Sequence, residues 1–174
     1  MEYAAAYAKL ATFGRELMER VSSLEEGLPM IAAYAKEVVG AERCSIFVYS
    51  PKTGTLWTTL ADGVEKIRID AAEGIAGRTL RESTAQIVND PYADPDFLNR
   101  VDRKTGYVTR NIASVPIFDS NRRVIGVLEL LNKPEGFDGA DTRFMTFFTH
   151  YISGYMELAT LFREDQDFLC RSKS

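Results

Sequence analysis

Apolar residues recur every third or fourth position along the start of the chain: Ala6, Leu10, Phe13, Leu17 and Val21 form one stripe from Tyr3 to Val21. That spacing predicts an amphipathic helix whose stripe must face a partner surface. "SSLEEGLPMIAAYAKEVVG" restarts the pattern. Ser23 with Glu26 resembles a capping box, while Gly27 and Pro29 place the start of the second helix near Leu28 and its end at Gly40.

The period then changes from helical to strand-like. "RCSIFVYS", dense in β-branched and aromatic residues, is followed by the turn-like "PKTG" and by "TLWTTLA", which together predict a β-hairpin. In "KIRIDA" Ile67 and Ile69 alternate with Lys66, Arg68 and Asp70, as in a sheet with one wet face. "EGIAGRTLRES" predicts a short helix opened by Gly74, and "AQIVND" a short strand. "NIASVPIF" and "VIGVLELL", joined by "DSNRR", bring the strand count to six. Asp138 and Asp141 are placed to cap a last helix. Its Phe144, Phe147, Phe148, Tyr151, Ile152, Tyr155, Leu158 and Phe162 make an apolar face too broad for one neighbour.

Hairpin-clustered strands between terminal helices predict an α+β domain on a mainly antiparallel sheet. We divide the chain into an N-terminal amphipathic helix (residues 1–26), a single folded domain (27–163) that includes the last helix, and a loose tail (164–174).

Composition narrows the function. With 174 residues and 45% hydrophobic content the chain can bury a sizeable core. A net charge of -4, with Lys and Arg scattered among Asp and Glu, provides no basic stripe for nucleic acid. No apolar run spans a bilayer and the start does not read as a secretory leader, so a cytoplasmic location without membrane insertion is expected. Cys44 and Cys170 match no zinc or redox spacing and are expected to be reduced thiols, one of them buried.

Catalytic patterns are missing. The sole histidine, His150, stands among Phe147, Phe148 and Tyr151, without a partner for nucleophilic chemistry. There is no metal-ligand spacing, and "GIAG" fails the phosphate-loop and dinucleotide fingerprints. The expectation is a non-enzyme with no covalent cofactor and no metal.

Three features call for a ligand-side reading beside a bland one. Gly74 leading into "IAGRTLR" either turns the chain and packs a helix, or frees helix-start amides for an anion. Glu129 shares one face with Ile125, Val127 and Leu131, and marks either a polar pocket or a wet sheet position. In "VDRKTGYVTRN", Asp102, Thr105 and Thr109 form a polar stripe at helical spacing. It is either a solvated helix end or one wall of a pocket, with Gly106 stopping the helix.

From Leu28 to Phe162 these motifs resemble the GAF domain, above all the subset found in cyclic-nucleotide phosphodiesterases and some adenylyl cyclases. The resemblance is carried by "GIAGRTLRESTAQIVNDPYADPDFLNRVDRKTGYVTRNIASVPI", "VIGVLELLNK" and "FDGAD". It implies a six-stranded antiparallel sheet, with long N- and C-terminal helices on one face and short helices closing a ligand pocket on the other. Asn132, Lys133, Phe137 and Asp141 match a structural motif of that subset, with Thr142 where glutamate is usual and a Lys133 to Asp141 ion pair implied. Ser45, Asp62, Asp102, Thr105, Thr109 and Glu129 match positions facing the nucleotide. Ile75 and Ala76 match those that offer amides to the cyclic phosphate. The purine-stacking aromatic of some members has no counterpart, because Leu60 and Ala61 occupy that region and Trp57 is displaced.

The resulting expectation is a sensory or regulatory domain that binds a small anionic ligand, a cyclic nucleotide such as cyclic AMP or cyclic GMP, and signals as a homodimer through its terminal helices. The alternative is a dimerisation or signal-relay module with a vestigial or differently occupied pocket.

Overall fold

The computed structural model describes residues 3–20, 24–61 and 67–171, with side chains omitted at 20, 24–25, 59–61 and 159–171. In chain order the elements are α1 (Ala4–Arg20), α2 (Leu24–Val39), β1 (Arg43–Ser50), β2 (Thr55–Ala61), β3 (Ile67–Asp70), α3 (Gly74–Glu82), β4 (Gln86–Val88), a 3-10 turn (Pro91–Ala93), α4 (Asn99–Thr105), β5 (Ile112–Phe118), β6 (Val124–Leu131) and α5 (Gly139–Arg171). The described strands form one six-stranded sheet in the order β3-β2-β1-β6-β5-β4, with every pairing antiparallel. This is the α+β architecture expected from the sequence.

Alternation along the central strands divides the sheet into two faces. Cys44, Ile46 and Val48 of β1, Ala113, Val115 and Ile117 of β5, and Leu128 and Leu130 of β6 point toward α1, α2 and α5. There they meet Leu10, Leu17, Leu28, Ile31, Phe144, Phe148 and Ile152 in the main core. The opposite face carries α3 and α4 and is the side that encloses a cavity.

Three boundaries differ from the sequence reading. α2 begins at Leu24, not near Leu28, and contains Pro29. The backbone bond that proline removes lies near the start of the helix, and burial of Leu28, Ile31, Ala32 and Ala35 outweighs it. α1 is not a separate segment, since Tyr3, Ala6, Leu10, Phe13 and Leu17 belong to the main core. α5 continues to Arg171, through most of the tail expected to be loose. No glycine or proline follows Gly154 to stop it. Val21, Ser23 and Lys66 lie outside the described residues.

At the start of α5 the Asp138 carboxylate accepts the amides of Ala140 (2.8 Å) and Asp141 (3.1 Å), while Asp141 accepts the Asp138 amide (2.9 Å). This reciprocal cap satisfies amides that the helix itself leaves unpaired.

Candidate functional site

The pocket-side face of the sheet carries a polar row. Register places Ser45 of β1 opposite Glu129 of β6, and Glu129 opposite Ser114 of β5. All three side chains are buried. Above the row lies a cavity of about 100 Å³, walled by the start of α3, by α4 and by the segment that follows it. Ser45, Ile75, Ala76, Asp102, Thr105, Thr109 and Glu129 all line it. Asp62 lies outside the described residues.

Glu129 is the unusual member. Its relative exposure is 9%, and its Oε1 has no hydrogen-bond partner. Burial pushes the carboxyl up from 4.5 to about 7, while a hydrogen bond with Ser114 acts in the opposite direction. A buried carboxyl oxygen without a donor is costly, and it is a ready acceptor for any N–H that enters the cavity. Glu129 thus stands buried in the cavity wall and not at a wet sheet position.

Asp102 shows the opposite condition. Its Oδ1 accepts the Thr109 hydroxyl (2.8 Å), and its Oδ2 accepts the Thr109 amide (2.7 Å) and the Tyr92 hydroxyl (2.8 Å). Much of its accepting capacity therefore serves to fasten the cavity wall. Thr105 is exposed at the rim and turns its hydroxyl back to the Val101 carbonyl (2.9 Å). Gly106 ends α4 in the left-handed conformation (φ 72°), its amide donating to the Asp102 carbonyl at 2.8 Å. The glycine that is awkward inside a helical stripe is thus a helix terminator.

The start of α3 supplies amides. Gly74 has φ +76°, and a Cβ there would meet Leu98 at 3.0 Å, so glycine both turns the chain and admits the α4 wall. The preceding Glu73 makes no side-chain cap to this turn. The amides of Gly74, Ile75 and Ala76 precede the first intrahelical bond, Gly77 N to Glu73 O (3.2 Å). Arg78 ties the same helix to the loop before α4 through Asp94 (3.0 Å) and Asp96 (3.1 Å), holding the Asp94 carboxyl below its usual range.

The Asn132 group lies beside the cavity and outside its lining. Asn132, left-handed at φ 58°, accepts the Arg110 amide (2.7 Å) and donates to the Val108 carbonyl (2.9 Å). It thereby pins the segment after α4 to the end of β6. Lys133 Nζ reaches both oxygens of Asp141 (2.7 and 2.8 Å), and the Tyr3 hydroxyl bonds the same carboxylate. Phe137 is buried in the main core, with its backbone bracketed by the Asn89 side chain (3.0 and 3.1 Å). Thr142 bonds back to the Gly139 carbonyl.

Several lining residues escaped the sequence reading. Arg43 and Phe47 share a face with Ser45 at period two, so strand alternation alone could have nominated them. Arg43 stacks over the Tyr107 ring, 3.6 Å from its centroid. Phe97 and Leu98 also line the cavity, whereas Trp57 packs toward the main core. Ser114, and Thr79 on α3, went unremarked because a lone hydroxyl carries little sequence signal.

The thiol of Cys44 is buried on the helix side, and the side chain of Cys170 is not described. His150 is exposed and stacks on Phe118 at 5.8 Å. Among the described residues no cluster of His, Cys, Asp and Glu is placed to hold a metal ion, and no helix is long and apolar enough to cross a membrane.

A six-stranded antiparallel sheet with a cavity between one face and two short helices is the architecture of the GAF fold. The sequence matches the GAF domain over residues 23–155, and the chain belongs to that family. It is 28% identical over 153 residues to a probable 3',5'-cyclic phosphodiesterase of Caenorhabditis elegans; the match covers 78% of this chain but only 21% of that protein. Two solved structures share the fold. The GAF domain of an Acinetobacter phosphoenolpyruvate-protein phosphotransferase has a TM-score of 0.77 at 17% identity, covering 94% of this chain and 99% of that one. The free methionine-R-sulfoxide reductase of Neisseria meningitidis has a TM-score of 0.71 at 20% identity, covering 92% and 94%.

Proposed function

We propose that this GAF domain binds a cyclic nucleotide in the cavity between α3, α4 and the sheet, without turning it over, and reports occupancy through its terminal helices. The observation that carries the reading is the pairing of an unpartnered, buried Glu129 oxygen with uncapped amides at the start of α3, both on one cavity. The two poles are complementary to the two ends of such a ligand. Helix-start amides attract the cyclic phosphate, and a carboxyl acceptor takes an N–H of the base. The likeness to a probable cyclic phosphodiesterase gives the same direction.

In this reading Ser45, Asp62, Ile75, Ala76, Asp102, Thr105, Thr109 and Glu129 form the ligand set. Asp102 and Thr109 keep the wall in shape, and Phe47 and Phe97 supply apolar surface where no base-stacking aromatic precedes Asp62. In this reading a nucleotide bears on the α4 wall, and displacement of that wall is the signal.

Signalling through a homodimer is supported by an apolar stripe on α1 and α5. Tyr7 (41% exposed) packs edge-on against Phe147 (49% exposed) at 5.0 Å, and Tyr151 continues the stripe. The stripe also fits the alternative reading, a dimerisation or relay module whose cavity stays unliganded.

Calorimetry of the purified chain with cyclic GMP and cyclic AMP tests the proposal. Saturable heat that is weakened by Glu129→Gln is the expected result. Neither heat nor thermal stabilisation at millimolar nucleotide leaves the relay reading, which light scattering then tests by whether Phe147→Glu converts a dimer to monomer.

A further inference from the structure

A line of hydroxyls runs from α3 through the sheet to Glu129. Thr79 is fully buried, with its Oγ1 2.9 Å from the Ile75 carbonyl and 2.8 Å from the Ser114 Oγ. Ser114, equally buried, stands opposite Glu129 in register, and its hydroxyl counters the burial that raises the carboxyl. Each hydroxyl has one proton to donate. That restriction couples the direction of donation along the line to the protonation of Glu129, and two fully connected arrangements follow.

With Glu129 ionised, Ser114 must donate to the carboxylate, Thr79 donates to Ser114, and the Ile75 carbonyl receives no hydroxyl. With a proton on the Glu129 oxygen facing Ser114, the direction reverses. Glu129 then donates to Ser114, Ser114 to Thr79, and Thr79 to the Ile75 carbonyl. The Oε1 atom, which lacks a protein partner, belongs to a carboxylate in the first arrangement and to a neutral acid in the second.

The ionisable residues sharing the cavity come from three elements. β1 contributes Arg43, whose guanidinium is stacked on Tyr107; α4 contributes Asp102, held by Tyr92 and Thr109; and the segment after α4 contributes Tyr107 itself. β3 and α3 contribute only uncharged residues to the lining, among them Ile69, Gly74 and Ile75. Of these neighbours none is hydrogen-bonded to Glu129, so the hydroxyl line is its polar connection to the fold.

We infer that Thr79 and Ser114 are positioning residues that set whether Glu129 presents a carboxylate or a neutral acid to the cavity. The inference concerns regulation of the site proposed above, and only its consequence for ligands rests on that proposal. An N–H donor brought against Oε1 favours the ionised arrangement and expels a proton, so affinity for such a ligand rises as pH climbs through neutrality.

The two hydroxyls have opposite effects. Removing the Ser114 hydroxyl strips the carboxylate of its donor, and a buried charge loses more than a neutral acid does. Removing the Thr79 hydroxyl leaves Ser114 with no acceptor except Glu129, which costs the acid arrangement two bonds and the ionised arrangement one. The test is a pH titration of the Glu129 carboxyl by carbon-13 NMR in ligand-free protein, with the resonance assigned by its loss in Glu129→Gln. Ser114→Ala should raise the midpoint by about 1 to 2 pH units and Thr79→Val should lower it by about half a unit. Thr79→Ser, which keeps the hydroxyl, should leave it unmoved, and Thr79→Ala replaces the valine variant if that does not fold. Shifts in the same direction, no shift in either variant, or a native midpoint in the ordinary carboxylate range would overturn the inference. Calorimetry with cyclic GMP in buffers of different ionisation enthalpy reads proton release separately. Absence of binding there removes the nucleotide proposal, and the NMR result still decides the relay.

Discussion

The two faces of the sheet are built to different standards. Toward α1, α2 and α5, Ile46, Val115, Ile117, Leu128 and Leu130 are sealed beneath Phe144, Phe148 and Ile152, and the buried charge pair Lys133–Asp141 is saturated by Tyr3 and the Asp138 amide. Toward α3 and α4 a cavity remains, with Ser45, Glu129 and Ser114 in a row and one carboxyl oxygen unpaired. The contrast teaches where stability and recognition reside. The helix side is closed by groups that satisfy one another, whereas the cavity side holds a desolvated acceptor that costs stability until something donates to it.

Substitutions should separate the faces. Phe148→Ala, on the sealed side, is expected to cost about 4 kcal/mol in denaturant unfolding, by loss of burial plus the void it leaves. Lys133→Met should cost about 3 kcal/mol, toward the lower end for a broken buried pair, because the Tyr3 hydroxyl and the Asp138 amide stay on Asp141. On the cavity side the sign reverses.

Burial raises Glu129 from 4.5 to about 7, so between those values the native chain holds a proton that the unfolded chain has lost. Native stability therefore falls as pH rises through that interval, and the cost is complete above it. At 1.36 kcal/mol per unit the shift corresponds to roughly 3 kcal/mol. Glu129→Gln is expected to stabilise the ligand-free protein by about 2 kcal/mol at pH 8, since the amide brings donor requirements of its own. The gain should vanish by pH 5, as read by urea midpoints at both values. Destabilisation by this variant at pH 8 would erase the contrast between the faces. Thr105→Val, at the exposed rim with its hydroxyl turned onto its own helix, should change stability by less than about 0.5 kcal/mol.

The sealed face was legible from periodicity, because burial follows alternation and helical spacing directly: Leu128 and Leu130 on β6, and Phe144, Phe148 and Ile152 on α5. By local rules the cavity side was legible only where a residue is out of place, such as Glu129 among aliphatics or Gly106 within a polar stripe; Ser45, Ile75 and Ala76 were nominated by the family resemblance alone. Asp102 illustrates what spacing cannot convey. Its place on the stripe with Thr105 and Thr109 reads as a set of equals, yet the chain turn at Gly106 folds Thr109 back onto Asp102 and leaves Thr105 at the cavity rim. The Thr79 and Ser114 contact joins residues 35 positions apart, a pairing that only tertiary structure specifies. Pro29 misled for a similar reason, since the burial holding its helix together is long-range.

Asn132, Lys133 and Asp141 have a mechanical aspect as well. Asn132 grips the strap that follows α4, its neighbour Lys133 grips Asp141 at the root of α5, and Asp141 holds Tyr3 at the root of α1. A knuckle of a few residues is thus the shared anchorage of the cavity wall and of both long helices. A load applied at the outer ends of those helices bears on the same rivets that keep the wall in place.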